Sequence, residues 1–570
     1  MLDLNAYRLA FAPLIAALVI VAFSLQGVPE PLEPAVGTIE FDADGATEHA
    51  RALARLAPDR RPGSEDAVAA ADFVRRSLEE VASGSVAEQR FDASVNSEDV
   101  ELRNVLLTLP GSSDHAILVV AERDTRSGSG AASSASATGV LLQLAAELGV
   151  AGRERTVIFG SIDGAGGEAE GAREMIDALP ERTTVDAAVV ISQPGAGATV
   201  EPHLITSSGD EQQPSQTLIR TAEDTLASRA QAASGLDGAL GQVARLALPA
   251  ASGAQAALLA EGVDSVAISG AGEVPLPPEL AGEEQLSPES VERFGATVLA
   301  LVGALDGAAP PVIERPESYV RLGDNTIPGW AISLLALALI VPPALPVALA
   351  LARARRDGSA RAALGWAAEW ALVGLAPLIA LYLLALAGLI PSPDVPYDPG
   401  RFTVGPMEVV AMVFLAGLAL GSWWVLGLRR APARPAPPVL GAAAGAFCLG
   451  ACLFAWLANP YLALAMAPLA HVVMVHGTSG RLAAGAAVGL ALVAAVPVAA
   501  VVVHVAGALD WGAAGPWQLV VLIAGGGLGF LAAAALAVAL IAVIAVVRSA
   551  LVSRGPGVGA APQAAPRGRP

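Results

Sequence analysis

The sequence contains no lysine, so all 34 of its basic residues are arginine. It has only two cysteines, Cys448 and Cys452, and both lie in one apolar run. The hydrophilic part of the chain therefore has no disulfide and no cysteine-ligated metal site. A net charge of −20 argues against the basic surface that nucleic-acid binding requires, so we expect no nucleic-acid partner.

Charge and hydrophobicity divide the chain into two parts. All but seven of the 54 acidic residues lie between Glu30 and Asp324, whereas fourteen of the 34 arginines lie outside that segment. Hydrophobic residues make up 54% of the chain, and the long apolar runs fall before and after the acidic segment. The sequence therefore predicts an acidic water-soluble domain joined to a slightly basic membrane part.

Long apolar runs predict the membrane spans, since a helix needs about 20 apolar residues to cross a bilayer. The first run, residues 9–25, predicts a retained anchor, because no clear cleavage site follows it, although a signal peptide has a similar pattern. The later predicted spans are residues 330–351, 363–390, 407–428, 439–457, 461–475, 482–506 and 517–547.

Arginine in the short loops predicts the orientation of these spans. Alternate loops and the C-terminal tail are arginine-rich, and the loops between them carry only Arg401. We therefore expect a multi-pass protein of the plasma membrane, with the bilayer as a partner. Residues 1–29 form the predicted anchor, 30–325 an extracytoplasmic domain, 326–550 a seven-helix transmembrane domain and 551–570 a disordered cytoplasmic tail.

Glycine and proline in the apolar runs predict local features of the bundle. Three small-xxx-small pairs predict close helix contacts: Gly417/Gly421, Gly441/Gly445 and Gly485/Gly489. Three prolines predict an interruption midway through the span at 330–351: Pro342, Pro343 and Pro346. Such a break is either a kink satisfied by neighbouring helices or part of a transport site.

The acidic segment shows short apolar runs that alternate with helical patterns. Strands are predicted at residues 87–91, 104–109, 116–120, 156–161, 187–191 and 265–268. Helices are predicted at residues 48–56, 64–81, 137–148, 168–179, 215–228, 253–261 and 287–305. This alternation is typical of an α/β domain with a central sheet covered by helices on both faces.

The order of motifs in this segment resembles that of peptidase family M28. The matching pieces are RRPGS at 60–64, RNVLLTLPG at 103–111, AILVVAERDT at 116–125, SASATGVLLQLAAEL at 134–148, RTVIFGSIDGAGGEAEGAREM at 155–175 and AALLAEGVDSVAIS at 256–269. The resemblance implies a three-layer aminopeptidase-like (phosphorylase/hydrolase-like) domain with a central mixed sheet. It also implies, for an active member, two zinc ions as cofactors.

The residues that would hold those ions in the family are replaced here. Where the family has a ligand histidine in His-x-Asp, this chain has Glu122, and the supporting aspartate remains as Asp124. The resemblance places the other positions, in chain order, on Ala135 (bridging carboxylate), Ala165 (general base), Gly166 (ligand), Gln193 (ligand) and Gln255 (ligand). Alanine and glycine cannot bind zinc or transfer a proton, so we expect a degenerate site without zinc.

A different cation site would have to use the remaining acids. Glu122, Asp124 and Asp163 lie on loops expected at the same end of the sheet, and oxygen ligands suit calcium or magnesium. The alternative is a solvated acidic rim. The segment has no Gly-x-Ser-x-Gly elbow and no cysteine that could replace the metals with a nucleophile.

The predicted layout is similar to that of the GPI-transamidase scaffold subunit and of endoplasmic-reticulum membrane peptidases. We expect a catalytically inactive membrane protein whose outer domain has a binding or scaffold role, with a protein or peptide as its partner. The alternatives are an active membrane metallopeptidase with an atypical site and a transporter-like protein with an accessory outer domain. Fold-level similarity does not decide between them.

Overall fold

The structure is a computed structural model, and it describes most of the chain. The described residues are residue 7 and residues 10–33, 40–81, 84–95, 98–164, 169–180, 183–197, 201–308, 315–428, 437–479 and 484–552. Ala165 and Gly166, most of the arginine-rich loops and the C-terminal tail lie outside them.

The acidic segment folds around a mixed sheet of seven strands within the described residues. In chain order the strands are β2 Ser85–Val95, β3 Glu98–Leu109, β4 His115–Glu122, β5 Thr156–Ile162, β6 Thr184–Ser192, β7 His203–Ile205 and β8 Ser265–Ser269, and their order across the sheet is β2-β3-β5-β4-β6-β8-β7. β4 pairs in parallel with β5 and β6, and β6 with β8. The outer pairs are antiparallel.

Helices cover both faces of this sheet. They are α2 Ala43–Leu56, α3 Glu65–Glu79, α4 Ser136–Gly149, α5 Glu170–Asp177, α6 Gln216–Thr225, α7 Ala239–Ala247, α8 Ala254–Ala260 and α9 Pro288–Gly307. Ser64 caps α3, since its hydroxyl accepts from the Ala67 amide at 3.1 Å. The predicted α/β fold is confirmed, and the elements of this sheet and its helices that were missed from sequence are the short strand β7 and helix α7.

Strand β4 shows why the sheet is buried on both faces. Ile117 and Val119 belong to one apolar cluster, and Leu118 and Val120 to another on the opposite face. Successive side chains of a strand point to opposite faces, so a strand covered on both sides needs an unbroken apolar run. The run AILVVA meets that need, and its residues are fully buried.

The apolar part of the chain forms a helical bundle. Its helices are α1 Ala12–Phe23, α10 Gly329–Arg356, α11 Ala360–Leu386, α12 Pro406–Leu428, α13 Pro437–Ala458, α14 Pro460–Ser479, α15 Ala484–Ala508, α16 Gly515–Ala524 and α17 Phe530–Val552. Within the described residues, six are long and apolar enough to cross a membrane: α10, α11, α12, α13, α15 and α17. α1 and the described part of α14 are apolar but shorter.

Two predictions about the bundle helices are wrong. The predicted span at 517–547 is two helices, α16 and α17, separated at residues 525–529. The separating sequence Gly-Gly-Gly-Leu-Gly disfavours helix, and Gly526 has a φ of +85° that favours glycine. The predicted midway break of residues 330–351 is also absent as an interruption of the helix, since α10 continues through Pro342, Pro343 and Pro346, and the alternative of a kink is not contradicted.

The outer domain and the bundle are joined at several points. A small sheet pairs β1 (Gln26–Gly27) with β10 (Asn325–Pro328), and β10 with β9 (Tyr319–Leu322), so the chain enters and leaves the outer domain side by side. Helix α7 packs against α14 and α15. The Asn459 side-chain amide donates to the Leu246 carbonyl at 2.7 Å, which secures the tight turn between α13 and α14.

Candidate functional site

The carboxyl end of β4 is where the sheet topology creates a crevice. The chain passes from β4 to its neighbour β5 on one side and then returns to β6 on the other side. Loops that leave neighbouring parallel strands in opposite directions open a crevice between them, and α/β proteins bind ligands there. Glu122 is the last residue of β4 and lines two small cavities in this crevice, of about 30 and 90 Å³.

The Glu122 carboxylate lies in an unusual electrostatic setting. Its pKa is raised to about 7, first by burial and then by the negative charges of Asp124 and Asp398, whereas a hydrogen bond from the Ala254 amide at 2.9 Å opposes the shift. Burial disfavours the charged form of an acid, and a like charge nearby has the same effect. Glu122 therefore changes its protonation near neutral pH.

Two buried arginines next to the crevice form a network of hydrogen bonds. Arg123 donates to the Ser161 carbonyl at 3.0 Å, to the Arg103 carbonyl at 2.6 Å and to the Asp163 carboxylate at 3.3 Å. Arg60 donates to the Arg123 carbonyl at 2.9 Å, and burial lowers its pKa to about 10. Both side chains are almost completely buried, so they form part of the domain's interior.

This network separates Asp163 from the other two acids of the alternative cation cluster. The second Asp163 carboxylate oxygen accepts from the Gly164 amide at 2.9 Å, so both of its oxygens are engaged beside Arg123. Glu122 and Asp124 line the larger cavity, and Asp163 does not. Among the described residues, no group of three His, Cys, Asp or Glu side chains is arranged to hold a metal ion.

The other replaced family positions are part of the packing of the domain. Ala135 is fully buried in an apolar cluster with Leu53 and Ala131. The Gln193 side-chain oxygen accepts from the Leu276 amide at 2.6 Å. The Gln255 side-chain amide donates to the Ser252 carbonyl at 2.7 Å. Ala165 and Gly166 lie outside the described residues.

These residues do not fit a pair of zinc ions. Ala135 offers only a methyl group, and the two glutamine side chains are neutral and already serve as hydrogen-bond partners within the fold. Zinc sites in proteins use histidine, cysteine or carboxylate ligands. Glu122 and Asp124 are the acidic residues left at the matched positions that the structure describes.

A loop that connects two helices of the bundle covers the crevice. We name residues 391–402, between α11 and α12, the bundle loop. Its Asp398 carboxylate forms an ion pair with the Arg126 guanidinium, with 2.9 Å between Oδ2 and Nε. Asp398 lines both crevice cavities together with Glu122. This contact was not predicted from the sequence. The signal available there was an acidic, proline-rich loop between two predicted spans.

Comparisons with known proteins support the resemblance of the outer domain to peptidase family M28. The sequence model of peptidase family M28 matches residues 104–239, which include the second half of β3, the strands β4 to β7 and the positions from Glu122 to Gln193. The chain thus carries an M28-like domain. No curated protein matches the chain in sequence.

Solved structures with a similar fold cover about half of the chain. A glutaminyl cyclase from an Acidobacteriales bacterium is 17% identical, with a TM-score of 0.38, over 49% of this chain and 99% of that one. A leucine aminopeptidase precursor from Bacteroides thetaiotaomicron is 16% identical, with a TM-score of 0.36, over 47% and 99%. A zinc-dependent exopeptidase from Parabacteroides distasonis is 15% identical, with a TM-score of 0.36, over 47% and 99%.

Proposed function

We propose that the chain is an integral membrane protein whose M28-like domain binds a protein or peptide partner and does not catalyse hydrolysis. The observation that carries this proposal is the use of the replaced positions for structure. Ala135 fills an apolar cluster, and Gln193 and Gln255 hold neighbouring loops through their side-chain amides. A crevice kept in shape without its catalytic groups suits binding better than chemistry.

The absence of a base supports the same proposal. The family position for the general base is Ala165, whose methyl group cannot accept a proton from water. Loss of a general base alone lowers a rate by roughly 100- to 10,000-fold. Glu122 is the described crevice residue that titrates near neutral pH, so it is the group on which an atypical hydrolase would depend.

The proposed location of the protein rests on its apolar helices and on the charges of the loops between them. We propose that the protein resides in the plasma membrane with the M28-like domain outside the cytoplasm. The three connections predicted to lie outside all contact this domain in the structure. The bundle loop reaches Arg126, Asn459 reaches Leu246, and His504 at the end of α15 lies 3.2 Å from the Asp237 carboxylate.

The catalytic half of the proposal is tested on the purified full-length chain in detergent. We expect less than stoichiometric zinc by mass spectrometry. We also expect no turnover of a fluorogenic peptide panel with added zinc, cobalt or manganese, because the ligand and base side chains are missing.

Metal-dependent turnover that a chelator abolishes would overturn the proposal if Asp124→Ala or Glu122→Gln also removed it. Asp394→Ala is the matched control, because Asp394 is an exposed acid of the bundle loop that does not line the crevice. Turnover that survived Asp124→Ala and Glu122→Gln would indicate a contaminating peptidase.

A further inference from the structure

The bundle loop lies in the crevice in the manner of a bound peptide. The Tyr397 amide donates to the Ala251 carbonyl at 3.0 Å, and the Val395 carbonyl accepts from the Arg173 guanidinium at 3.2 Å. Ala251 and Arg173 both belong to the M28-like domain. Hydrogen bonds to the main chain of a bound peptide contribute affinity, and side-chain pockets provide the specificity.

Two consecutive side chains of the loop are buried: Tyr397 in the apolar cluster that the bundle shares with α7, and Asp398 beside Arg126. Tyr397 is 1% exposed and Asp398 is 5% exposed, although both belong to a loop between apolar helices. Tyr397 and Asp398 line the smaller cavity together with Ser252 and Glu122. Of these two side chains, the Asp398 carboxylate pairs with a charged group of the domain, so an acid is the residue type that this crevice accommodates.

Arg126 allows the acidic side chain of Asp398 to lie in the crevice. The crevice already contains the carboxylates of Glu122 and Asp124, so a third carboxylate would be repelled without a cation beside it. Arg126 supplies that cation to Asp398 and also donates to the Pro275 carbonyl at 3.3 Å. Burial raises the pKa of Asp398, and the charge of Arg126 opposes this shift.

Glycine allows the close approach of the arginine. A Cβ atom at Gly400 would overlap the Arg126 guanidinium, so another residue there would displace either the loop or the arginine. The Asp398 carboxylate also accepts from the Gly400 amide at 2.9 Å. The turn that follows Tyr397 and Asp398 is thus shaped around Arg126.

The other side of the loop is held by the bundle. The Gln518 side-chain amide donates to the carbonyls of Pro399 and Phe402, each at 2.9 Å. A Cβ atom at Gly525 would overlap the Pro393 carbonyl. The loop is therefore presented to the crevice by α16 and the break that follows it.

From these contacts we propose that residues 395–398 are an internal ligand of the M28-like domain, and that Arg126 selects an acidic residue in a bound peptide. The internal ligand closes the crevice, and an external peptide of the same chemistry binds when the loop leaves. This inference rests on the proposed binding role, and it names the class of ligand.

The closure is tested by the accessibility of a thiol beneath the loop. Ser252 is 4% exposed in the smaller cavity. In a full-length chain with Cys448→Ala and Cys452→Ala, we expect Ser252→Cys to react slowly with a charged maleimide. Asp398→Ala or Arg126→Ala should each accelerate labelling at least tenfold. Ser94→Cys, on exposed β2, should label at one rate in all backgrounds.

The selection of an acid is tested by charge exchange and by peptide protection. Arg126→Asp combined with Asp398→Arg should restore slow labelling of Ser252→Cys. A capped peptide with the sequence of residues 391–402 should protect Ser252→Cys in the Asp398→Ala chain. The same peptide with alanine in place of its second aspartate, the one matching Asp398, should protect at least tenfold less well.

Unchanged labelling of Ser252→Cys in both single variants would overturn the proposal that residues 395–398 are an internal ligand. Equal protection by the two peptides would overturn the proposal that Arg126 selects the acid. Neither result bears on catalysis. Metal-dependent hydrolysis that appears when Asp398→Ala displaces the loop would instead overturn the proposed non-catalytic function. It would not contradict the proposal that residues 395–398 are an internal ligand.

Discussion

Glu122 occupies the position where the resemblance expects a ligand histidine, and its surroundings favour a neutral carboxyl. Burial and the charge of Asp124 raise its pKa from 4.5 to about 7. The folded protein therefore binds this proton more tightly than the unfolded chain does. The contribution to stability is present below the unfolded pKa and is lost as pH rises through the folded pKa.

We expect Glu122→Gln to stabilise the protein at alkaline pH. A neutral amide avoids the burial of a charge, and its oxygen can still accept from the Ala254 amide. The gain should be roughly 2 kcal/mol at pH 8, allowing for solvent in the crevice, and small at pH 5. The melting temperature of the full chain at both pH values measures it. Glu261→Gln, an exposed control, should show no such difference, and an equal gain at both pH values would contradict the argument.

At the scale of the elements, the glycine pairs of the bundle do not share one environment. A Cβ atom at Gly445 on α13 would lie 2.9 Å from a Val347 methyl group of α10. At Gly417, Gly421, Gly485 and Gly489 it would meet nothing within 4 Å. The predicted close packing is therefore wrong for these four glycines within the described structure, whereas Gly445 does lie at a helix contact.

Gly445→Leu should consequently destabilise the bundle, because a larger side chain would push α13 away from α10. Overpacking of this kind typically costs about 1–3 kcal/mol. The measurement is the detergent melting temperature together with the yield of folded protein. Gly417→Leu is the matched control on an exposed face of α12 and should behave like wild type. Equal losses in both variants would show that the contact between α13 and α10 is not responsible, because leucine favours helix more than glycine does at both positions.

For the whole molecule, the contacts between the outer domain and the bundle make one structural unit. Leu246 and Ala247 of α7 belong to the same apolar cluster as Tyr461 of α14 and Val505 of α15. The Ser318 and Tyr461 hydroxyls lie 2.6 Å apart. The M28-like domain is thus seated on the bundle by apolar packing, hydrogen bonds and the bundle loop.

The proposed topology predicts where inserted reporters lie. A reporter inserted near Ser208 should be accessible from outside the cell, and one fused after Arg434 should be cytoplasmic, because arginine-rich loops are retained inside. Accessibility to a membrane-impermeant label in intact cells, compared with lysed cells, measures both. External labelling of a tag on the C-terminal tail would rule out this arrangement of eight spans.

Local sequence patterns were sufficient for the main elements of the outer domain. The apolar run of β4 and the capping serine of α3 are short-range signals, since strand burial and helix capping depend on neighbouring residues. The positions that the M28 resemblance assigns to zinc ligands could also be located, because Ala135 and Gln193 stand at fixed places in the motif order. β7 has only three residues, too few to show alternation, and α7 is amphipathic but has only nine residues and contains Gly241, so neither stands out in the sequence.

The sequence alone therefore determined that an acidic M28-like domain is joined to a set of apolar helices. Only the tertiary structure decided that Asp163 belongs to the Arg123 network and that the bundle loop fills the crevice. Arg126 and Asp398 are far apart in the chain, and neither lies in a periodic pattern that predicts the other. Their pairing arises because the fold brings the crevice and the bundle loop together, which no local rule of helix, strand or turn encodes.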